Sequence, residues 1–100
     1  MEHLAYDLGR ITFDGFFRTI DEVYIMIEIN YAVNVMLVDK DNYSKYCQDE
    51  SYSYYGGYAD KSPITLKIPY DGHWYLVIDN CGDDMEGIEA TVKKHIHYRH

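Results

Sequence analysis

Asp21-Glu22-Val23-Tyr24-Ile25-Met26-Ile27-Glu28-Ile29-Asn30-Tyr31-Ala32-Val33-Asn34-Val35-Met36-Leu37-Val38-Asp39 is the stretch whose reading decides the fold. Val23, Ile25, Ile27 and Ile29 alternate with Tyr24, Met26, Glu28 and Asn30, which is the period of a strand with one buried face. The β-branched residues agree, because they pack well on a pleated surface. The pattern resumes beyond Asn30-Tyr31-Ala32, with Val33, Val35 and Leu37 facing one way and Asn34, Met36 and Val38 the other. Two strands around a short reversal read as a hairpin over residues 23–39.

On the C-terminal side, residues 39–50 turn polar. Asn42 or Asp41 is the expected cap of one helical turn over about 41–47, with Tyr43 and Tyr46 on one face. Ser51 to Pro63 follows, holding Tyr52, Tyr54, Tyr55 and Tyr58 around Gly56-Gly57. Pro63 opens a strand in which Ile64, Leu66 and Ile68 alternate with Thr65 and Lys67, and Pro69-Tyr70-Asp71-Gly72 forms a turn. His73 to Asp79 is apolar on both faces and reads as a central strand, with Trp74, Leu76 and Ile78 in the core. Asn80 to Asp84 is a loop. Gly87 to Ile96 is the last strand, and residues 96–100 are expected to fray.

On the N-terminal side, residues 1–20 read as two short strands, His3–Tyr6 and Arg10–Thr19, the second broken by a turn at Asp14-Gly15. Many short strands with closely spaced turn signals predict an all-β fold, a small antiparallel β-sandwich of jelly-roll-like form. No stretch supports a long helix, and residues 1–100 fit one domain.

Of the 100 residues, 47% are hydrophobic and 26% charged, which argues for a folded globular chain. The 17 acidic and 9 basic residues leave a net charge of −8, so a nucleic acid is not expected as a partner, nor is an anionic membrane. The acidic N-terminus and the lack of a long apolar run argue against a signal peptide and a membrane span. Cys47 and Cys81 sit in no metal-like spacing and read as free thiols of a reducing cytoplasm.

The composition is most unusual in its 12 tyrosines. Tyrosine joins a large flat apolar body to a polar tip and loses little rotamer entropy on contact. The Tyr/Gly stretch is therefore either a binding surface or the cover of a sandwich edge. The residues expected to line a site are Asn42, Tyr43, Tyr54, Tyr55, Gly56, Gly57, Tyr58 and His73. The aromatics would supply stacking area, Gly56-Gly57 close approach, and Asn42 and His73 hydrogen-bond direction. Two oxygen-rich loops, around Asp39 to Asn42 and Asp79 to Asp84, could share a calcium ion if they met at one end, but they fit no calcium-loop spacing, and no metal or other cofactor is expected. His95 and His97 share a face without further zinc ligands. No nucleophile elbow or phosphate loop is present.

Asn34-Val35-Met36-Leu37-Val38-Asp39, Asn42-Tyr43, Tyr54-Tyr55-Gly56-Gly57, Ser62-Pro63 and Gly72-His73-Trp74-Tyr75-Leu76-Val77-Ile78-Asp79 occur in an order and spacing that resembles the bacterial family called domain of unknown function 1883, over about residues 21–93. The chain differs from that pattern at Asn80-Cys81-Gly82 and before Asp21. The resemblance implies a small all-β domain without assigned chemistry. Some members are fused to Toll/interleukin-receptor-like domains, which in bacteria often process nicotinamide nucleotides for defence against phages. The expectation is thus a non-enzymatic binding module for a small polar ligand, nucleotide-derived in such a setting, or for a partner protein. The alternatives are a homodimer that hides the tyrosines and a small hydrolase built on Asp39, Asp79 and His73.

Overall fold

The computed structural model describes residues 2–13 and 20–98. Its elements are β1 (Leu4–Ile11), β2 (Ile20–Ile29), β3 (Val33–Asp39), α1 (Lys40–Cys47), β4 (Tyr55–Ala59), β5 (Ile64–Lys67), β6 (Gly72–Asp79) and β7 (Ala90–Tyr98). The strands form two antiparallel sheets, one in the order β1-β6-β3-β4 and one in the order β5-β2-β7. The all-β sandwich expected from the alternation is what forms. Among the described residues only β3 and β4 are consecutive strands of one sheet; every other connection between described strands crosses between sheets, as in a jelly roll.

The inward rows are those the alternation marks. Val23, Ile25 and Ile27 of β2 meet Val33, Val35 and Leu37 of β3 and Trp74, Leu76 and Ile78 of β6 in one buried cluster. β6 lies between β1 and β3, and both of its faces are apolar because both are covered. Its second face, with Val77, joins Met36, Val38 and Tyr46 in a smaller cluster on the outside of the larger sheet. α1 covers that face, so Met36 and Val38 are buried too.

Residues 23–39 do not form a hairpin, because β2 and β3 belong to opposite sheets. The bend between them is an arch that carries the chain across the core. Asn30 holds it there: its Nδ2 donates to the Gly87 carbonyl at 2.8 Å, and its Oδ1 accepts from the Glu89 N–H at 2.8 Å. Those bonds tie the bend to the approach of β7, the actual neighbour of β2. A hairpin would put the two apolar rows side by side, whereas the arch puts them face to face and closes the core between them.

Three boundaries also differ from expectation. The helix cap is Asp39 rather than Asn42 or Asp41: its Oδ1 accepts from the Asn42 N–H at 2.9 Å, which satisfies an otherwise unpaired first-turn donor. Residues 4–11 form one strand rather than parts of two. A register shift between Asp7 and Gly9, with Gly9 at φ 75° and its N–H on Asp7 Oδ1 at 2.8 Å, lets β1 continue through the irregularity. The turn expected at Asp14-Gly15 lies outside the described residues. The last strand begins at Ala90 and runs to Tyr98, which pairs with Ile20, so the expected fraying does not reach residues 96–98. Among the described residues no helix is long and apolar enough to cross a membrane.

Candidate functional site

The eight residues singled out in the sequence fall into three groups rather than one pocket. Tyr43 and His73 lie on the outer face of the larger sheet, joined by Tyr75. The Tyr43 ring stacks on Tyr75 at 4.4 Å and 16°, and His73 stacks on Tyr75 at 5.0 Å and 20°. His73 Nε2 also lies 2.6 Å from Asp7 Oδ1 and ties β6 to β1. The Gly9 N–H first, and then His73, hold the Asp7 carboxyl below its ordinary value. His73 thus has a structural partner at the sheet's edge.

Asn42 is engaged at both ends of its amide. Nδ2 donates to Asp39 Oδ1 at 3.0 Å, and Oδ1 accepts from the Ser53 N–H at 2.8 Å. It staples the segment before β4 to the start of α1. Asp39 also accepts from the Tyr70 hydroxyl through Oδ2 at 2.9 Å. Burial pushes the Asp39 carboxyl up, but the Asn42 N–H, the Tyr70 hydroxyl and the Asn42 amide outweigh it and leave the group below its ordinary 3.8. Tyr70 is pushed up to about 12, by burial first and then by Asp39. A carboxyl with a lowered folded value contributes stability above its unfolded value and loses it as pH falls through the folded one. The melting temperature should therefore drop as pH falls below 3.8, and Asp39→Asn should flatten that acid limb. An unchanged limb in calorimetry would show that the cap carries no charge-dependent stability.

The third group is β4 with the residue before it. Among the described residues β4 is the last strand of its sheet, so one row of its backbone N–H and C=O groups has no strand partner there. Tyr54, Tyr55 and Tyr58 are 49%, 45% and 66% exposed. Tyr54 leans on Tyr52 at 5.6 Å. Tyr55 points the other way, toward the core's margin, with its ring edge-on to Trp74 at 6.0 Å and to Tyr70 at 6.4 Å. Gly56 sits at φ 110°, where an added Cβ would lie 2.3 Å from the Val35 carbonyl oxygen. Its lack of a side chain is what lets β4 pair with β3. Tyr55 is accordingly part structural: Tyr55→Ala should cost about 1–2 kcal/mol, against at most about 0.5 for Tyr58→Ala, in chemical denaturation. Equal costs would contradict the orientation.

The antiparallel register separates the residues proposed for hydrolysis. Asp39 pairs with Trp74, and Asp79 with Asn34, so the two carboxylates stand at opposite ends of neighbouring strands. His73 and Asp79 share a face but lie six residues apart along β6, roughly 20 Å. The three do not converge, and the two oxygen-rich loops do not meet at one end. At the far end of the other sheet, Asp21, Glu22 and His97 bring possible ligand atoms within 4.8 Å, without His95. Glu22 there is already held by Lys67 at 3.1 Å and by the Tyr24 hydroxyl, an exposed ion network rather than an enclosed centre.

Sequence reasoning placed Asp79 in a candidate calcium loop and a candidate hydrolase site and missed its role as the most buried charged side chain among the described residues. Asp79 is 5% exposed. Its Oδ2 accepts from the Tyr46 hydroxyl at 2.8 Å, and its Oδ1 from Asn34 Nδ2 at 3.0 Å and the Cys81 N–H at 3.3 Å. Burial first, then Asp79, pushes the Tyr46 hydroxyl far above its ordinary value. The available signal was Asn34, an amide in an otherwise apolar strand. Tyr46→Phe should cost about 1.5–2 kcal/mol in urea unfolding, the loss of a hydrogen bond to a buried carboxylate. A cost near zero would mean that water replaces the hydroxyl.

These features define a small all-β sandwich with one short helix on its outer face and an open, tyrosine-bearing edge. The chain belongs to the family described as domain of unknown function (DUF1883), whose model matches residues 17–96. The match runs from just before β2 through most of β7 and leaves β1 outside. No curated protein and no solved structure matches the chain.

Proposed function

We propose that this protein is a non-catalytic binding module that holds an extended segment of a partner protein along β4. The observation that carries this reading is the edge itself: a backbone row on β4 that no described strand pairs, with Tyr54, Tyr55 and Tyr58 exposed around two glycines. Strand addition draws affinity from main-chain hydrogen bonds and specificity from alternate side chains. Tyrosine supplies wide contact at small entropy cost, and Gly56-Gly57 leaves room for another backbone. The net charge of −8 favours a basic segment. A flat edge suits a peptide better than a small polar or nucleotide-derived ligand, which needs an enclosing cleft. The family resemblance supports placing this module in a bacterial, cytoplasmic defence-signalling setting, and two exposed free thiols, Cys47 and Cys81, suit that compartment.

The test is selection from a displayed random-peptide library. Selected peptides should be extended and rich in Lys or Arg, should shift the backbone amides of residues 54–59, and should bind Tyr58→Ala about tenfold more weakly. Peptides that perturb another face, or that bind Tyr58→Ala unchanged, would refute the reading. Light scattering checks the competing one: a stable dimer with these tyrosines covered would make the same edge a self-assembly surface.

A further inference from the structure

The C-terminal end of α1 and the turn after β6 enclose a cleft of about 200 Å³ that uses none of the exposed β4 tyrosines. Asp79 forms part of its lining from the buried end of β6. Tyr46 and Tyr52 form an aromatic wall, their rings edge-to-face at 5.2 Å. Asp49 and Glu50, both exposed, stand at the rim, and among the described residues no Lys or Arg lines the cleft. The wall is fixed in place: the Tyr46 hydroxyl donates to Asp79 at 2.8 Å, and the Tyr52 hydroxyl meets the Met36 sulfur at 3.6 Å.

This combination selects by charge and shape together. Three carboxylates without a basic side chain repel anions, so a phosphate or carboxylate ligand is disfavoured. Aromatic rings add attraction for a cation that is poorly hydrated and flat, which a guanidinium is and an ammonium or a small metal ion is not. Asp79 has its oxygens already engaged by Tyr46, Asn34 and the Cys81 N–H, so it acts as a fixed negative charge behind the rings rather than as a metal ligand. The volume holds roughly six or seven waters at about 30 Å³ each, room for a head group of that many heavy atoms. We propose that this cleft binds a guanidinium head, carried by a free small guanidinium compound or by an Arg side chain of a partner. The proposal goes beyond the β4 reading and can fail separately from it.

The experiment is a pair of NMR titrations at constant ionic strength, with ethylguanidinium and with its neutral isostere ethylurea. Ethylguanidinium should produce saturable shifts at the amides of Asp49, Glu50 and Gly82, and ethylurea none. The double variant Asp49→Asn, Glu50→Gln should weaken binding about fivefold. Both positions are exposed, and Asn tolerates the φ of 60° at position 49, so the fold should be kept. Tyr58→Ala should leave ethylguanidinium binding unchanged. An equal response to ethylurea, a non-saturating response, or unchanged affinity in the double variant would overturn the proposal. A Gly-Arg-Gly peptide compared with Gly-citrulline-Gly separates the sources. Tighter binding of the arginine peptide than of ethylguanidinium assigns the site to a partner's Arg side chain, and binding no tighter assigns it to a free small guanidinium compound.

Discussion

Trp74→Ala is expected to lower the unfolding free energy by about 3–5 kcal/mol. Trp74 has no exposed surface and belongs to the inner cluster with Leu76 and Ile78. Its ring also meets Tyr70 at 5.0 Å, and its Nε1 donates to the Tyr70 carbonyl at 3.0 Å. Truncation therefore leaves a cavity and removes a bond that fixes the turn before β6. A domain of this size has about 5–15 kcal/mol in all, so the variant should lose a large share of its stability and unfold at a markedly lower urea concentration. Urea unfolding followed by tyrosine fluorescence would measure it. A loss under about 1 kcal/mol would show that the sandwich is not packed around this side chain.

Gly56→Ala should cost about 3 kcal/mol, with a different signature. The new methyl would stand 2.3 Å from the Val35 carbonyl oxygen, a backbone atom within the sheet that cannot rotate away. It would also force a non-glycine residue to φ 110°. The least costly escape is for β4 to leave β3, because β4 is an edge and the remaining strands can keep their pairing. Hydrogen exchange should then show lost protection at residues 55–59 and on the β4-facing amides of β3, while β2 and β7 stay protected. Uniform loss across both sheets would mean that β4 is integral to the core, and would count against a separable binding edge.

The legible part of the fold was the part that depends on neighbours in sequence. Alternation over Val23–Ile29 and Val33–Val38 identifies the inward residues whichever sheet each strand joins. It is silent on whether the bend at Asn30 makes a hairpin or an arch, since both give the same two rows; the choice is made by Gly87 and Glu89, nearly sixty residues on. The tyrosine stretch was legible as a surface but not in orientation. Tyr54 and Tyr58 stand on the open side while Tyr55 turns to Trp74, and only the register with β3 decides this. Asn42 and His73 look like ligand donors in sequence because their partners, Ser53 and Asp7, lie elsewhere in the chain. Tyr46 and Asp79 went unpaired for the same reason, being 33 residues apart.

The crossing connections bear on how the chain is made. β1 waits for β6 before it has a neighbour, and β2 needs β5 and β7, so little of either layer can close while a ribosome is still delivering the first half. Local helix formation cannot substitute, because α1 is only eight residues long. The domain should fold late and as a unit, at the slow pace of non-local β topologies, with its apolar strands exposed to chaperones and to one another in the interval.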